Sequence, residues 1–425
     1  MPDLTSQLLP RLQSHRLPGL DLDGDFIAPK YDDQSILNIP STICDWLGVP
    51  GISKGLLYPE IRLPLGNGIR RILLILMDAL AFHRLQTWME AIPVWQSLLA
   101  EGVLAPLTSV SPSTTNSALT TLWTGQSPAV HGIIGYEMWL KEYGVVANMI
   151  LHAPMTFKGD VDTLQRAGFS PEAFLPSQTL GSHLRNHGVK SYAFNHNSIA
   201  RSGLSQMFLR DTEIMPFATP ASMWVRIRQL FESRPEEKMY VWAYWGAVDG
   251  LSHYHGPDQE SVSAEFAHYS MAFEQFFLKQ LNPAIRKDTL IILTADHGMT
   301  QTPLNPANVL KNHPKLHQHL LINPTGENRF ANLYLRTGRE EAVRAYFETT
   351  WPEQFVLLTQ EQALDAGLFG PGVHHPRLRD RIGDLIAVSR DDSYLWWSDI
   401  EDFLLGRHGG LTSQDMLVPF LAARL

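Results

Sequence analysis

The feature that most constrains the fold of this chain is a set of short, uninterrupted apolar runs. The clearest are Arg70–Met77 (RRILLILM), Lys238–Trp245 (KMYVWAYW) and Thr289–Thr294 (TLIILT). Apolar runs of this length are too short to cross a bilayer as helices. Continuous rather than alternating apolar character is typical of strands that are buried on both faces. The runs therefore predict the inner strands of a parallel sheet.

Segments with helical character separate these runs. The predicted helices are Gln86–Glu101, interrupted near Pro93, and then Thr179–His187, Ala221–Glu232 and Ser261–Gln280. Further strands are predicted at Val103–Val110, Lys190–Asn195, Asp384–Ser389 and Met416–Ala422. Buried strands that alternate with helices indicate an α/β fold with a doubly wound, mostly parallel sheet.

The 425 residues divide into three expected parts. Residues 1–60, rich in Pro, Gly and Asp, are expected to form an extension that packs on the core. Residues 61–300 and 380–425 are expected to form the core, with a lid-like excursion at about 135–175. Residues 301–379 are expected to form a small inserted α/β subdomain, because the pattern strand, helix, strand recurs there.

Composition narrows the class of partner and the cellular location. The formal net charge of −9 argues against binding to nucleic-acid polymers or anionic membranes. Cys44 is the single cysteine, so no intrachain disulfide is expected. No segment has the apolar core of a secretory leader or a long uncharged span. We therefore expect a cytoplasmic protein without a membrane partner, and its oligomeric state is left open.

Acidic groups follow the three apolar runs. Asp78 follows the first, Asp249 comes shortly after the second, and the pair Asp296 and His297 follows the third. A single Asp at such a place is commonly a helix cap or a turn residue. In an open parallel sheet, however, ligands bind at the carboxyl ends of the strands. Three such ends that carry acids predict a site at this edge of the sheet.

The spacing of histidines around these acids is typical of metal sites. Asp249 and His253 are separated by one helical turn and can bind one ion from the same face. His255 points elsewhere in either regular geometry and is expected behind the ligands or at the surface. His408 lies in a glycine-rich turn, GRHGG, that can close around an ion.

Asp296 and His297 are neighbours in a turn, so each could serve a different ion. Mixed Asp and His ligands suit Zn²⁺, and also Mn²⁺ or Fe²⁺.

A stretch crowded with hydroxyl groups, from Ser109 to Gly132, lies between the first two of these ends. A helix is predicted to begin near Thr115 or Asn116 and to end at Gly125. Hydroxyl groups at such a point can simply cap the helix. They can also supply a nucleophile where the free N–H groups and the helix dipole favour phosphate.

Five segments, taken in order, resemble the alkaline phosphatase superfamily, and most closely its type I phosphodiesterase/nucleotide pyrophosphatase branch, to which phosphonoacetate hydrolase is similar. The segments are LILMDAL, SPSTTNSALTTLWTGQSPAVHGI, VDGLSHYHGP, LTADHGM and RHGGLTSQDMLVP. They span Asp78 to Pro419. The resemblance implies an alkaline-phosphatase-like fold with helices on both faces of the sheet and a small inserted subdomain.

The resemblance also implies roles for individual residues. Thr115 is implied as the nucleophile that is transiently phosphorylated. Thr114, one residue earlier, is the alternative. Two divalent ions are implied, most simply zinc, with manganese or iron as alternatives. The ligands of one ion would be Asp249, His253 and His408. Those of the other would be Asp78, Thr115, Asp296 and His297.

The sequence departs from the branch just past its HGI segment. Tyr136 stands where a phosphate-binding Asn is expected, so a tyrosine hydroxyl or a backbone N–H would have to donate instead. Asn116 and Tyr136 are the candidates for contacts with substrate. The expected activity is hydrolysis of a small-molecule phosphate ester, a phosphodiester or nucleotide pyrophosphate. A phosphomonoesterase or phosphonate hydrolase is the alternative, and a non-enzymatic metal-binding scaffold is the rival from another class.

Weaker signals lie outside these segments. His313, His317 and His319 are interpreted as a loop cluster without a metal, since no carboxylates of suitable spacing join them. Arg329 or His319 is predicted to border the substrate. Trp139 is predicted to line a substrate pocket, because it lies in the irregular excursion.

Overall fold

A seven-stranded sheet forms the centre of the structure, a computed structural model that describes residues 3–20, 22–156 and 161–425. In order across the sheet, its strands are Gly102–Thr108, Leu417–Arg424, Thr289–Thr294, Arg71–Met77, Met239–Trp245, Lys190–His196 and Glu213–Phe217. Leu417–Arg424 is antiparallel to both of its neighbours, and the other pairs are parallel. The predicted mostly parallel sheet is confirmed.

The register of the central strands brings their carboxyl ends together. Arg71–Met77 lies between Met239–Trp245 and Thr289–Thr294, and all three strands are buried along their whole length. Met77 is level with Trp245 in the first pairing. Asp78 and the turn before Asp249 therefore leave the sheet at the same edge.

Helices cover both faces of this sheet. Trp123, from the helix Thr115–Thr124, packs edge-on against Trp242 of a central strand. Trp245 of the same strand packs on Tyr269, from the helix Glu260–Phe273. Residues three apart on a strand point to opposite faces, so the two helices lie on opposite sides.

The α-helices have the following bounds: Thr5–Ser14, Ile39–Trp46, Pro59–Arg62, Phe82–Met89, Pro93–Ala100, Thr115–Thr124, Pro128–His131, Pro171–Phe174, Leu180–Asn186, Gly203–Phe208, Pro220–Ser233, Ala247–His255, Glu260–Phe273, Pro283–Arg286, Pro314–His317, Glu340–Thr350, Gln360–Asp365, Leu378–Ile382 and Ser413–Met416. None of the helices in the described ranges combines the length and the apolar character that a bilayer crossing needs.

A second seven-stranded sheet is antiparallel throughout. Its strands, in order, are Phe355–Thr359, Leu385–Ser389, Phe330–Leu333, Thr325–Glu327, Glu137–Leu140, Val145–Asn148 and Ala153–Pro154. A short two-stranded pair joins Thr300–Gln301 to Gly406–Arg407.

The second sheet differs from the expected organisation in two places. The excursion at 135–175 supplies three of its strands and pairs directly with the insertion through Gly326 and Glu137. Leu385–Ser389, expected in the core, pairs with Phe330–Leu333 instead. The sequence shows the type of each strand but carries no local signal for its partner, which is set by distant contacts. Residues 157–160 of the excursion lie outside the described residues.

The N-terminal segment packs on the main sheet. Leu8 and Leu12, from the helix Thr5–Ser14, are buried, and Leu4 N–H donates to the carbonyl of Leu104. Ile27 N–H donates to the carbonyl of Leu411, close to the chain's last strand. Residues 1, 2 and 21 lie outside the described part. The division of the chain into domains stays a prediction.

Candidate active site

Asp78, Asp296 and His297 form one compact group at the carboxyl edge of the main sheet. Their ligand atoms lie within 4.8 Å of one another, and all three side chains are buried. Nε2 of His297 is 3.3 Å from Oδ1 of Asp78 and 3.6 Å from Oδ2 of Asp296. The turn brings Asp296 and His297 together in one group, which favours the shared ion implied by the resemblance over the alternative that each serves a different ion.

Hydrogen bonds hold one oxygen of each carboxylate in this group and leave the other free. The Tyr244 hydroxyl donates to Oδ2 of Asp78. The N–H groups of Ala79 and His297 donate to Oδ1 of Asp296, at 3.2 and 3.0 Å. Oδ1 of Asp78 and Oδ2 of Asp296 are buried without a hydrogen-bond partner. These two oxygens face His297 Nε2 and are available to a cation.

Asp249, His253 and His408 form a second group whose ligand atoms also lie within 4.8 Å. Asp249 and His253 are one turn apart on the helix Ala247–His255, and Nε2 of His253 lies 3.3 Å from Oδ1 of Asp249. Nε2 of His408 lies 3.9 Å from the same oxygen. The ring centroids of His408 and His297 are 3.8 Å apart, so the two groups are adjacent.

Backbone carbonyls fix the orientation of all three imidazoles. Nδ1 of His253 contacts the carbonyl of Gly406 at 2.8 Å, and Nδ1 of His297 contacts that of Gly298 at 2.8 Å. Nδ1 of His408 is 3.3 Å from the carbonyl of Ser113. A carbonyl only accepts, so each Nδ1 carries a proton, and Nε2 is the ring nitrogen through which each histidine could bind a metal.

The donor set fits divalent cations. Oδ1 of Asp249 is also buried without a hydrogen-bond partner, so each group presents bare carboxylate oxygens beside bare Nε2 atoms. Burial together with the Asp296 and Asp249 carboxylates raises the pKa of Asp78 well above its ordinary value. Burial also raises the pKa of Asp296 to about 7. A buried cation would compensate such crowded carboxylates. The roles of these residues as ligands remain predictions.

Thr115 lies between these groups and an open cavity. It is the first residue of the helix Thr115–Thr124, and its Oγ1 is 3.1 Å from Nε2 of His297. Thr114 is the preceding cap residue, and its buried hydroxyl donates to Oε1 of Glu327 at 2.6 Å. Of the two threonines, Thr115 is therefore the one whose hydroxyl oxygen faces the candidate metal site.

Asn116 and Tyr136, the candidates for substrate contacts, both line the cavity. Asn116 is buried; its Nδ2 donates to the carbonyl of Gly135 at 3.2 Å, and its Oδ1 has no partner. The N–H of Tyr136 is already used, because it donates to Oε1 of Glu327 at 2.7 Å. Of the two donors expected at Tyr136, the hydroxyl is therefore the one that remains.

Asn148 fixes the direction of the Tyr136 hydroxyl. Oδ1 of Asn148 accepts the N–H groups of Ile150 and Leu151, so its Nδ2 must be the atom that donates to the tyrosine oxygen, at 2.6 Å. The hydroxyl hydrogen of Tyr136 thus remains free to donate to a substrate.

The cavity has a volume of about 410 Å³ and lies directly beside Thr115, Asp249 and His408. Many of its lining residues were not predicted from the sequence as site residues, among them Glu137, Glu327, Trp396 and Trp397. Burial raises the pKa of both glutamates to about 7. Their position depends on the second sheet, whose pairing the sequence does not reveal.

Close approaches of glycine hold the second sheet against the site. A Cβ on Gly135 would lie 2.7 Å from Cα of Gly326, so the two backbones pass in direct contact. A Cβ on Gly409, next to His408, would lie 2.4 Å from Cβ of Glu327. Glu327 is thereby held between the helix Thr115–Thr124 and the His408 turn.

Several weaker predictions do not match the structure. Trp139 does not line the cavity; it packs edge-on against Tyr334 at 4.9 Å. Arg329 is buried, and it pairs with Asp415 at 2.9 Å instead of bordering the substrate. His319 is not among the residues that line the cavity either.

The other histidines singled out from the sequence belong to neither ligand group of the described residues. His313 donates and accepts within the fold, contacting the Tyr346 hydroxyl at 2.9 Å and the Ala307 carbonyl at 2.8 Å. Among the described residues, no group of metal-binding geometry includes His313, His317 or His319. His255 is exposed at the end of its helix.

Comparison with known proteins shows which family model the chain matches and which proteins it is similar to. The model of the family described as type I phosphodiesterase / nucleotide pyrophosphatase matches residues 72–411. Human ectonucleotide pyrophosphatase/phosphodiesterase family member 5 is 24% identical over 201 residues, which is 47% of this chain. The chain spans only 40% of the length of that curated relative.

Solved structures share the fold. An inactive variant of murine ectonucleotide pyrophosphatase/phosphodiesterase 5, in complex with AMP, has a TM-score of 0.62 and 18% identity, covering 83% of this chain and 87% of that one. Phosphonoacetate hydrolase from Sinorhizobium meliloti, in complex with phosphonoformate, has a TM-score of 0.61 and 19% identity, covering 84% and 91%. The predicted alkaline-phosphatase-like α/β fold is confirmed.

Proposed function

Because the chain belongs to the type I phosphodiesterase/nucleotide pyrophosphatase family, whose members are hydrolytic enzymes, we propose that it hydrolyses phosphodiesters of small organic molecules. The reaction proceeds through a phospho-threonine at Thr115 and depends on two divalent cations. One observation carries this proposal: Oγ1 of Thr115 is 3.1 Å from His297 Nε2, and Thr115 also lines the cavity. The same oxygen can therefore face both a bound cation and a bound phosphoryl group.

The proposed metal ligands fall into the two groups described for the candidate active site. Asp249, His253 and His408 would hold one cation, and Asp78, Asp296 and His297, together with the Thr115 oxygen, would hold the other. Zinc is the simplest identity for a set of Asp and His ligands. When bound, the cations supply the positive charge that makes a hydroxyl nucleophilic at neutral pH and that offsets the charge of the transferring phosphoryl group.

The chain's own residues position the reacting atoms. Thr115 attacks phosphorus with its Oγ1, the bond to the leaving oxygen breaks, and a phospho-threonine forms. Its place at the start of the helix Thr115–Thr124 puts the phosphoryl group near free N–H groups and the positive end of the helix dipole. The free hydroxyl hydrogen of Tyr136 donates to a substrate oxygen. Water then attacks phosphorus and releases Thr115.

The charge of the cavity favours a diester over the alternatives. Glu137, Glu327 and Asp249 are its only charged lining residues apart from histidine, within the described part of the chain. A phosphodiester carries one negative charge, whereas a monoester carries close to two near neutral pH. Phosphonoacetate, bound by a structural relative, adds a carboxylate. Among the described residues, no Lys or Arg lines the cavity beside Thr115 to neutralise that additional charge.

A substrate panel tests this function. The metal-loaded protein is assayed with an aryl phosphodiester, the matching aryl phosphomonoester and phosphonoacetate, before and after treatment with a chelator. We expect the diester to have the highest kcat/KM and the activity to be lost on chelation and restored by zinc. Faster turnover of phosphonoacetate or of the monoester would overturn the diester assignment. Full activity after complete metal removal would overturn the metal dependence.

A further inference from the structure

The hydroxyl-rich stretch before Thr115 makes contacts that the proposed function does not use. Three serines, Ser109, Ser111 and Ser113, alternate along it, and all three are fully buried. Hydroxyl groups ahead of a helix commonly cap it. Here the side chain of the cap residue, Thr114, makes no hydrogen bond to the helix that it precedes. The partners of the serines show a different arrangement.

Ser109 contacts the turn that carries one group of candidate ligands. Its hydroxyl donates to the backbone carbonyl of Asp296. Its own N–H donates to the carbonyl of Met416 at 2.8 Å, where the chain enters its last strand. The start of the hydroxyl-rich stretch is thus fixed directly to the turn of Asp296 and His297.

Ser113 makes the corresponding contact with the turn that carries His408. Its hydroxyl donates to the carbonyl of Gly410 at 2.7 Å. Its carbonyl lies 3.3 Å from Nδ1 of His408, and Ser113 forms an isolated antiparallel bridge with Gly409. The end of the stretch, two residues before Thr115, is thus fixed to the turn of the second ligand group.

Ser111, between these two serines, is held through its backbone instead. Its N–H donates to the Tyr31 hydroxyl at 3.1 Å, and that hydroxyl donates to the carbonyl of Leu368 at 2.9 Å. Oγ of Ser111 is buried without a hydrogen-bond partner. The side chain of Ser111 therefore provides an internal comparison, because it lies in the same stretch but links it to neither turn.

We propose that Ser109 and Ser113 are positioning residues that set the place of Thr115 relative to both ligand groups. Each hydroxyl joins one end of residues 109–113 to one ligand turn, so the three parts keep a fixed spacing. A displacement of about 1 Å at reacting atoms can slow a reaction about 100-fold. The inference rests on the proposed function, because it takes Thr115 as the nucleophile. It goes beyond that function by assigning a role to two serines that act through backbone carbonyls.

Loss of either hydroxyl should slow the reaction more than it weakens substrate binding. In the metal-loaded protein, Ser109→Ala and Ser113→Ala should each reduce kcat for an aryl phosphodiester at least about tenfold, with little change in KM. Ser117→Ala is the matched control, since Ser117 is equally buried and donates to the carbonyl of Ile133 at 2.8 Å. Ser111→Ala is the control within the stretch. Both controls should keep a kcat close to that of the native protein.

Zinc affinity provides a measurement that does not depend on turnover. In competition with a fluorescent chelator, Ser109→Ala and Ser113→Ala should each weaken one of the two zinc affinities about tenfold. Combination with Asp249→Asn, which is expected to keep only the ion beside Asp78, identifies the affected site. In that background Ser109→Ala should weaken the remaining affinity, and Ser113→Ala should leave it nearly unchanged.

A role in stability alone would give a different result. Lower melting temperatures of Ser109→Ala and Ser113→Ala, with native kcat and native zinc affinities in the folded protein, would overturn the proposal. An equal loss of kcat in Ser117→Ala would also overturn it. If an alanine variant does not fold, Ser109→Cys and Ser113→Cys fill the same space with a weaker donor. They should show smaller losses of the same kind, and native values in both would overturn the proposal.

The two measurements also separate this inference from the proposed function. Weakened zinc binding in the serine variants of a protein that hydrolyses no phosphate ester would overturn the function and support the positioning role. Hydrolysis that depends on Thr115, with native kcat and zinc affinities in Ser109→Ala and Ser113→Ala, would support the function and overturn the positioning role.

Discussion

The Tyr244 hydroxyl donates a hydrogen bond to Oδ2 of Asp78, while Oδ1 of the same carboxylate lies 3.3 Å from Nε2 of His297. Tyr244 and Asp78 are both buried at the carboxyl edge of the main sheet. The tyrosine thus fixes which oxygen of Asp78 faces the candidate metal site. A neutral donor behind a ligand carboxylate orients it without competing for the cation.

Removing this hydroxyl should weaken metal binding. Tyr244→Phe keeps the ring but frees the Asp78 carboxylate to rotate, and we expect a loss of about 10- to 100-fold in affinity for one of two ions. Competition with a fluorescent chelator measures this affinity. Tyr240→Phe removes a buried hydroxyl from the same strand, away from the ligands, and serves as the control. Equal metal affinity in native protein and Tyr244→Phe would contradict the role.

The second ligand group should bind its ion independently. Asp249→Asn replaces the carboxylate that both His253 and His408 approach, at 3.3 and 3.9 Å. We expect the metal content to fall from about two ions per chain to about one. Elemental analysis of purified protein measures it, with the exposed Asp365→Asn as control. Two ions retained in Asp249→Asn would remove this group from the metal site.

The buried carboxyl of Glu137 should make stability depend on pH. Burial raises its pKa from 4.5 to about 7 in the folded protein. The folded state therefore binds the proton more tightly than the unfolded state, and stability falls as the pH rises from about 4.5 to about 7. Glu137→Gln cannot ionise and keeps an oxygen for the Trp397 indole.

This variant should match the native protein below pH 4.5 and exceed its free energy of unfolding by about 1–3 kcal/mol above pH 7. Urea denaturation at pH 4 and pH 8 measures the difference. Suppose that Glu137→Gln is less stable than the native protein at pH 8 and that the difference in stability is the same at pH 4. The negative charge of Glu137 would then be compensated in the folded state, which would contradict this prediction.

The contact between Gly409 and Glu327 should be intolerant of a side chain. Gly409 has a φ of +102°, and an added Cβ would lie 2.4 Å from Cβ of Glu327. Gly409→Ala should therefore cost more than Gly144→Ala, where φ is +61° but the surrounding space is open. We expect about 1 kcal/mol for Gly144→Ala and clearly more for Gly409→Ala. Similar melting temperatures for the two variants would contradict the close approach.

Six of the seven strands of the main sheet were predicted from the sequence, and the edge strand Glu213–Phe217 was missed. Strands such as Arg71–Met77 and Thr289–Thr294 are buried on both faces, so their continuous apolar pattern identifies them. The second sheet was not predictable as one sheet. Its strands are short and antiparallel, and Glu137–Leu140 pairs with Thr325–Glu327 across a long sequence separation. Such pairing depends on tertiary contacts that local patterns do not encode.

The site residues, too, were only partly predictable from the sequence. Asp78, Asp249 and Asp296 were visible because each follows a recognisable strand. Tyr244 and Glu327 were not, because a tyrosine inside an apolar strand and a glutamate in a short turn have ordinary local explanations. Glu327 is in fact the last residue of the short strand Thr325–Glu327. Only the fold shows that Tyr244 contacts Asp78 and that Glu327 lies beside Thr114.

The central claim is that Thr115 is the nucleophile, and one pair of variants tests it most directly. Thr115→Ala and Thr114→Ala are compared with the native protein for turnover of an aryl phosphodiester and for metal content. Thr115→Ala should reduce turnover to background while its metal content stays at about two ions per chain. Thr114→Ala should retain measurable turnover, since its hydroxyl only contacts Glu327. Full activity in Thr115→Ala would contradict the mechanism.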